Sequence, residues 1–403
     1  MLLIWIPVSV LVMYIILNIV YGKLWKKGLR AQLRFEERDV EEGDNATLVE
    51  TMTNGKLLPL PVIKLSFKVD RSIVIDEDRN ATVSDRTNVV EYFGLGGHEV
   101  VTRRQPVRAC KRGYYLIGEA GISLPDFFSE GVRYLAAAQS ASLLVCPRML
   151  AEAQIVDISR QIIGEVVSRN RLYQDVFSFR GIREYAPGDP LSTVNWKASA
   201  RTGEYMVNLR DYTSGQHVRF LLDLEPPSIR YSEELLEQGI RLAYTLAGHC
   251  IQARIPVSLT SNGRDVITGK EVGTEAGSSA RHLGVIGEAL ARINLSLKPR
   301  PFWELLREER LKPGGSTYAD SHGGYSGADR PGGSTYADSI GGYTGTKEES
   351  SLCLISSGQT DALLEEAAVL SGQCGGLLWI CILDPEVERK EIPAGIRFIP
   401  LRY

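Results

Sequence analysis

The chain is short of the residues that usually announce chemistry. Its 403 residues include five histidines, none at zinc spacing from a cysteine. The six cysteines (Cys110, Cys146, Cys250, Cys353, Cys374 and Cys381) form no Cys-x-x-Cys pair, so neither a zinc ribbon nor a dithiol redox motif is written here. They are dispersed, several of them in apolar runs such as SLLVCPR and LLWICIL. That is the pattern of reduced core thiols in a reducing compartment. No Gly-x-Ser-x-Gly elbow appears, and no Gly-rich loop ends in Gly-Lys-Ser/Thr, which argues against a hydrolase elbow and a P-loop. Neither sign of charge dominates. A net charge of -3 supplies no pull toward nucleic acid, and none is expected as a partner.

Long apolar runs are also scarce: there is one. MLLIWIPVSVLVMYIILNIVYG carries no charged residue from Met1 to Gly22, and roughly 20 residues suffice to cross a hydrocarbon core as a helix. Lys23, Lys26, Lys27 and Arg30 come at once after it. A transmembrane helix over 1–22 with a basic juxtamembrane segment over 23–39 is therefore expected. The positive-inside rule then gives a single-pass cell-membrane protein with its bulk in the cytoplasm. A cleaved signal peptide fits less well, because the basic flank is on the wrong side.

At 403 residues the chain is longer than one core usually organises. Over 40–150 it reads as strands. In VIKLSFKVD, Ile63, Leu65, Phe67 and Val69 alternate with Lys64, Ser66, Lys68 and Asp70, the period of a strand with one buried face. Several such runs between Gly, Pro, Asn and Asp predict a β-sandwich-like domain. From 216 to 403 strands alternate with helices: HVRFLLDL, the helix of Leu236, Ile240, Ala243, Ala247 and Cys250 starting at Ser232, then IPVSLTS, RHLGVIGEALARIN, SLCLISS, TDALLEEAAVLSG and GLLWICIL. Such alternation predicts a doubly wound α/β domain. Within it, residues 313–330 and 331–348 agree at 13 of 18 positions. This Gly-, Ser- and Tyr-rich tandem repeat is too polar to bury a core and is expected to be a flexible insertion.

Residues 151–215 hold the most particular segment, FRGIREYAPGDPLSTVNWKASAR. Asp189 before Pro190 is a helix-start signal, and Gly203 a stop. A helix of about three turns is expected over PLSTVNWKASAR, with Lys197 and Arg201 one turn apart. The segment contains no activated nucleophile, and its use is recognition or interdomain locking.

The segment closely resembles the signature of a bacterial family catalogued as domain of unknown function 58. The residues that carry it are Phe179, Gly181, Arg183, Glu184, Tyr185, Pro187, Gly188, Asp189, Trp196, Lys197, Ala200 and Arg201. RGYYLIG, at 112–118, resembles a second feature of that family. The resemblance implies a membrane anchor, a β-sandwich and a von Willebrand factor A-like α/β domain. Most members of the family carry a hairpin of two membrane helices, and this chain departs from that pattern with one. The resemblance further implies a MoxR-type AAA+ ATPase as partner. The site residues it singles out, for partner binding or structure, are Arg183, Glu184, Tyr185, Gly188, Asp189, Trp196, Lys197 and Arg201.

Metal-binding versions of the von Willebrand domain need Asp-x-Ser-x-Ser after the first strand, leaving an open position on Mg²⁺. Here Asp223 is present, but Glu225 and Pro227 replace the serines. The site is degenerate and no metal or other cofactor is expected. The functional expectation is a non-enzymatic adaptor or scaffold that works with the ATPase on envelope-associated client proteins. A metal-dependent ligand-binding domain is the alternative. A hydrolase built from Ser356 or Ser357 with His249 or His282 ranks below it, and Asp223 with Glu225 is a poor carboxylate pair, since alternate residues can face opposite ways on a strand.

Overall fold

A computed structural model describes residues 2–75, 86–125, 132–172, 174–185, 194–212, 217–227, 233–311, 351–374, 376–383 and 390–402. The tandem repeat over 313–348 lies outside them, as do Gly188, Asp189 and Ser232. Two compact units are present: Met1–Arg148 with Leu290–Arg292, and Met149–Ala289 with Ile293–Tyr403.

The charge-free N-terminal run is helical, α1 over Leu2–Leu24. Among the described residues no helix is long and apolar enough to cross a membrane, so the expected crossing is not shown; the side chains of Leu2–Trp5, Pro7, Leu17 and Asn18 are outside those residues. Strand structure starts well before residue 40. The stretch expected to be juxtamembrane contains β1 (Leu29–Phe35) and the start of β2 (Asp39–Glu41). The basic residues hid this strand, because Arg30, Gln32 and Arg34 alternate with Leu29, Leu33 and Phe35, of which the last three are buried.

The remaining strands of the first unit are β3 (Asn45–Asn54), β4 (Leu60–Asp70), β5 (Ile73–Ile75), β6 (Arg86–Leu95), β7 (Val100–Ala109), β8 (Gly113–Pro125) and β9 (Val132–Cys146). They form two sheets, ordered β1-β3-β7-β5 and β2-β9-β8-β4-β6. Period-two burial places Ile63, Leu65, Phe67 and Val69 inside, as the alternation predicts. They join Leu33, Leu48, Met52, Ile122 and Leu143 in one core. Gln139 of β9 ties in β1: its Oε1 accepts from Leu33 N at 2.9 Å and its Nε2 donates to Ala31 O at 2.9 Å. An edge strand is thus satisfied by a side-chain amide.

The second unit opens with α2 (Ala153–Leu172), β10 (Gln174–Glu184), α3 (Trp196–Thr202) and β11 (Met206–Tyr212). Next come β12 (Val218–Leu222), α4 (Glu233–Gln252), β13 (Val257–Arg264), β14 (Glu271–Gly277), α5 (Ala280–Ala291) and α6 (Phe302–Leu311). The chain finishes with β15 (Ser351–Ser356), α7 (Asp361–Cys374), β16 (Leu377–Leu383) and β17 (Ile396–Arg402). Six of these strands make one sheet, β14-β13-β12-β15-β16-β17, parallel except for β14 at the edge. Its central strands are buried on both faces. Leu221, Leu354, Trp379 and Cys381 pack with Leu305 and Leu306 of α6 and Leu363 and Ala367 of α7. The alternate residues Phe220, Leu222, Ile355 and Ile380 are equally buried, and Gly239 of α4 lies against Leu222 and Ile382. Expected to bury one face, α4 is buried nearly all round, from Leu235 to Ile251. Cys146, Cys250, Cys353 and Cys381 are buried free thiols, whereas Cys110 is exposed. Burial pushes Cys250 up to about 12 and Cys381 up to about 11, which leaves them inert as nucleophiles.

Buried polar residues interrupt the apolar core of the sandwich, Glu50 and Glu91 among them. Glu50 of β3 points inward between Leu48 and Met52 and is fully buried. Neither carboxylate oxygen has a hydrogen-bond partner. Nearby, Glu91 of β6 pairs with Arg103 of β7 and accepts from Gln105 Nε2 at 3.0 Å. Burial raises Glu50 to about 7; Glu91 adds repulsion and Arg103 partly relieves it. A raised carboxylate leaves the fold most stable below its unfolded value near 4.5, and stability declines as pH rises toward 7. The folded protein is predicted to lose on the order of 2–3 kcal/mol across that interval through Glu50. Urea unfolding at a series of pH values should show this slope in the wild type and a flatter one in Glu50→Gln. Equal slopes would contradict it.

Candidate functional site

The signature segment folds as an excursion between two paired strands. β10 and β11 run antiparallel, with Arg183 opposite Val207 and Glu184 opposite Met206. The excursion is stitched back by Tyr185 N donating to Tyr205 O at 2.8 Å and Asn195 N donating to Met206 O at 2.8 Å. Val194 bridges to Val207, and both are buried. Of the three-turn helix expected over 190–201, residues 190–193 lie outside the described residues, and the described part is helical from Trp196 on. α3 has seven residues, and its N-cap is Asn195, whose Oδ1 accepts from Ala198 N at 3.0 Å. Val194 is therefore not helical: its bridge to β11 holds it extended, and the Asn195 amide offers a cap one residue later. The stop at Gly203 is as expected, in the left-handed region at φ 81, with its N donating to Ser199 O. Ser199 fastens the helix to β11, since its Oγ accepts from Met206 N at 2.8 Å and donates to Asn195 O at 2.9 Å.

This scaffold holds an aromatic cluster in water. Trp196 is 65% exposed and meets Tyr205, 61% exposed, edge to face at 6.3 Å and 82°. Tyr205 meets Tyr185 at 6.3 Å and 61°. Lys197 and Arg201 are exposed on α3, one turn apart. Glu184 is exposed at the end of β10, while the Arg183 side chain is outside the described residues. Of the signature positions, the structure thus gathers Tyr185, Trp196, Lys197 and Arg201 around one short helix. Tyr205 joins them without having been singled out. Its signal was an aromatic residue two positions after the Gly203 stop. Rigid aromatics flanked by cations are the residue types that dominate protein-binding hot spots.

The second locus is the point where the strand order of the large sheet reverses, between β12 and β15 at their C-terminal ends. Open α/β sheets present ligands there. Asp223 comes directly after β12, is buried, and donates its N–H to Ile355 O at 2.8 Å. Its Oδ1 accepts from Glu225 N at 2.8 Å and from Asn262 Nδ2 at 3.3 Å. Asn262 is a hub: its Oδ1 accepts from Leu224 N at 2.9 Å and its Nδ2 also donates to Arg300 O at 2.9 Å. Burial holds Asp223 up at about 7; the Glu225 N–H opposes this, the Glu225 charge adds to it, and Asn262 opposes it. Glu225 turns away to accept from Phe302 N at the start of α6, 3.2 Å. Across the reversal, Ser356 Oγ accepts from Trp379 Nε1 at 2.8 Å and donates to Gly358 O at 3.0 Å. Ser357 Oγ is buried without a hydrogen-bond partner.

This donor set does not fit a divalent cation. One carboxylate faces amide donors, the other caps a helix, and among the described residues no group of three His, Cys, Asp or Glu side chains is placed around a common point. The serine–histidine pairing is not assembled either. His249 Nδ1 lies 2.6 Å from Ser159 Oγ, and His282 Nε2 lies 2.9 Å from Val257 O. Asn262 was not legible as a hub, since a polar residue just after the run IPVSLTS reads as a turn signal.

No family model matches the chain, and no curated protein matches it. Among solved structures, a type I cohesin from Pseudobacteroides cellulosolvens is similar over 30% of this chain and 96% of its own, at 8% identity and a TM-score of 0.19. A cohesin from Archaeoglobus fulgidus covers 31% of this chain and 96% of its own, at 8% identity and 0.19. The CARDB domain of a Pyrococcus furiosus protein covers 29% and 96%, at 14% identity and 0.18. Likenesses that weak carry no functional weight.

The reversal point generates two predictions. Asn262→Ala removes a partner from the buried Leu224 N–H and Asp223 carboxylate and from the half-buried Arg300 carbonyl, and is predicted to cost about 2–4 kcal/mol, measured by chemical denaturation. A cost within a few tenths would show that the hub is dispensable. Millimolar Mg²⁺ or Mn²⁺ is predicted to leave the thermal midpoint unmoved, whereas a concentration-dependent rise would reveal a bound cation.

Proposed function

We propose that the chain is a membrane-anchored, non-enzymatic adaptor that couples a MoxR-type AAA+ ATPase to envelope-associated client proteins, through a von Willebrand factor A-like unit. The observation that carries this reading is the cluster of exposed Trp196 and Tyr205 with half-buried Tyr185, on the hairpin that also carries exposed Lys197 and Arg201. A tryptophan left in water on a helix fastened at both ends is unfavourable unless a partner covers it.

Three further observations support parts of the reading. The strand order, with one antiparallel edge strand and a reversal beside Asp223, is compatible with a von Willebrand A-like unit. The binding chemistry of that unit is then protein docking, because Asp223 and Glu225 are committed internally. For the anchor, α1 spans 23 residues, about 35 Å at 1.5 Å per residue, against roughly 30 Å of hydrocarbon. Lys23, Lys26 and Lys27 at its end favour the cytoplasmic side for the residues C-terminal to it.

The test is recovery of the ATPase when the full chain is purified from membranes. Trp196→Ala and Arg201→Ala, both at exposed positions, are predicted to fold normally and each to weaken recovery, Trp196→Ala by about 2 kcal/mol or some thirtyfold in affinity. Unchanged recovery with both folded variants would remove the hairpin as the docking surface.

A further inference from the structure

We propose that the end of the β-sandwich from which α1 emerges is a lipid-facing surface that rests on anionic phospholipid headgroups, with Leu57 entering the interfacial layer. The inference rests on the reading of α1 as a membrane anchor and adds a point that reading leaves open: the sandwich is held against the bilayer, and does not swing from a tether.

The geometry begins with the last turn of α1, which is built into the sandwich. Tyr21 Oη donates to Pro59 O at 3.1 Å, and Trp25, 1% exposed, sits in the sandwich core. Lys56 Nζ donates to Trp25 O at 2.9 Å and to Asn54 Oδ1 at 3.0 Å. Gly55 N donates to Gly28 O at 2.8 Å. These bonds bring the connection between β3 and β4 to the place where the charge-free run ends, at Gly22. If α1 spans the bilayer, residues 56–59 lie at its surface.

The side chains displayed there match that environment. Leu57 is 81% exposed and Leu24 is 41% exposed. Lys23, Lys26, Lys27 and Arg30, close to Leu24 in the chain, are also exposed. Leu57 does not fold back, because the backbone beneath it is occupied. Asn54 Nδ2 donates to Leu58 O and Gly96 O, His98 N donates to Lys56 O at 2.9 Å, and Gly97 passes so near Leu57 O that a Cβ there would lie 2.5 Å away. Leucine presented on a fixed loop, at a helix end followed by exposed lysines, is the composition of an interfacial anchor on an anionic leaflet, with lysine stems lying along acyl chains and ammonium groups on phosphates. A protein partner would leave unexplained why the cations cluster at the root of the apolar helix.

The experiment places an environment-sensitive fluorophore at Leu57→Cys in the full chain carrying Cys110→Ser and Cys374→Ser, reconstituted into phosphatidylglycerol-containing vesicles. A second chain carries the same probe at Asp44→Cys, an exposed position at the far end of β3, about 30 Å away along the strand. The Leu57 probe is expected to shift to the blue and to be quenched by lipids brominated near the headgroup, and the Asp44 probe to show neither. Replacing Lys23, Lys26 and Lys27 by Gln is expected to reduce the Leu57 quench. Alkaline carbonate extraction of the same vesicles separates the two readings. A chain that resists extraction but shows no Leu57 quench would overturn the lipid-facing surface while leaving the anchor. A chain that washes off would overturn both.

Discussion

The tie between Asp223 and Asn262 governs what the α/β unit can do. A carboxylate at the C-terminal end of a central parallel strand, beside the reversal of strand order, occupies the place where such sheets meet ligands. Here that carboxylate is buried and answered by one backbone N–H and one amide, and the amide also holds Leu224 N and Arg300 O. Oxygen ligands that would otherwise face an ion are used to close the top of the fold. A raised pKa near 7 is the consequence of that closure, because burial without a full positive partner disfavours the charged form.

With the reversal point closed, the groups left facing water are of another kind. The hairpin of β10 and β11 uses an N-cap, a left-handed glycine and the Ser199 hydroxyl to fix a helix of seven residues. That scaffold displays aromatic and cationic side chains. Geometry suited to covering by a protein surface is the physical basis of the proposed adaptor role. The N-terminal end is built in the same manner: Tyr21, Trp25 and Lys56 turn a helix exit into a rigid joint, and leave Leu57 outside.

Much of the fold was legible from periodicity. Ile63, Leu65, Phe67 and Val69 declared a one-sided strand, and the alternation after residue 216 declared a doubly wound sheet, because both rest on local spacing that burial enforces. Four features were not legible. β1 was masked by its arginines, which lie on the outer face of a strand whose inner face is apolar. The start of α3 was misplaced because Val194 is claimed by a bridge to Val207, a partner thirteen residues away that no local cap signal reveals. Asn262 and Tyr205 acquire their roles only when distant segments meet. Local rules read elements; they do not read which polar group will be left to answer a buried one.

The most direct measurement of the central claim is hydrogen–deuterium exchange of the full chain with and without the proposed ATPase partner. The account predicts new protection confined to residues 195–206, around Trp196 and Tyr205, and none at the ends of β12 and β15. Protection at Asp223 and Ser356, with the hairpin unchanged, would contradict it.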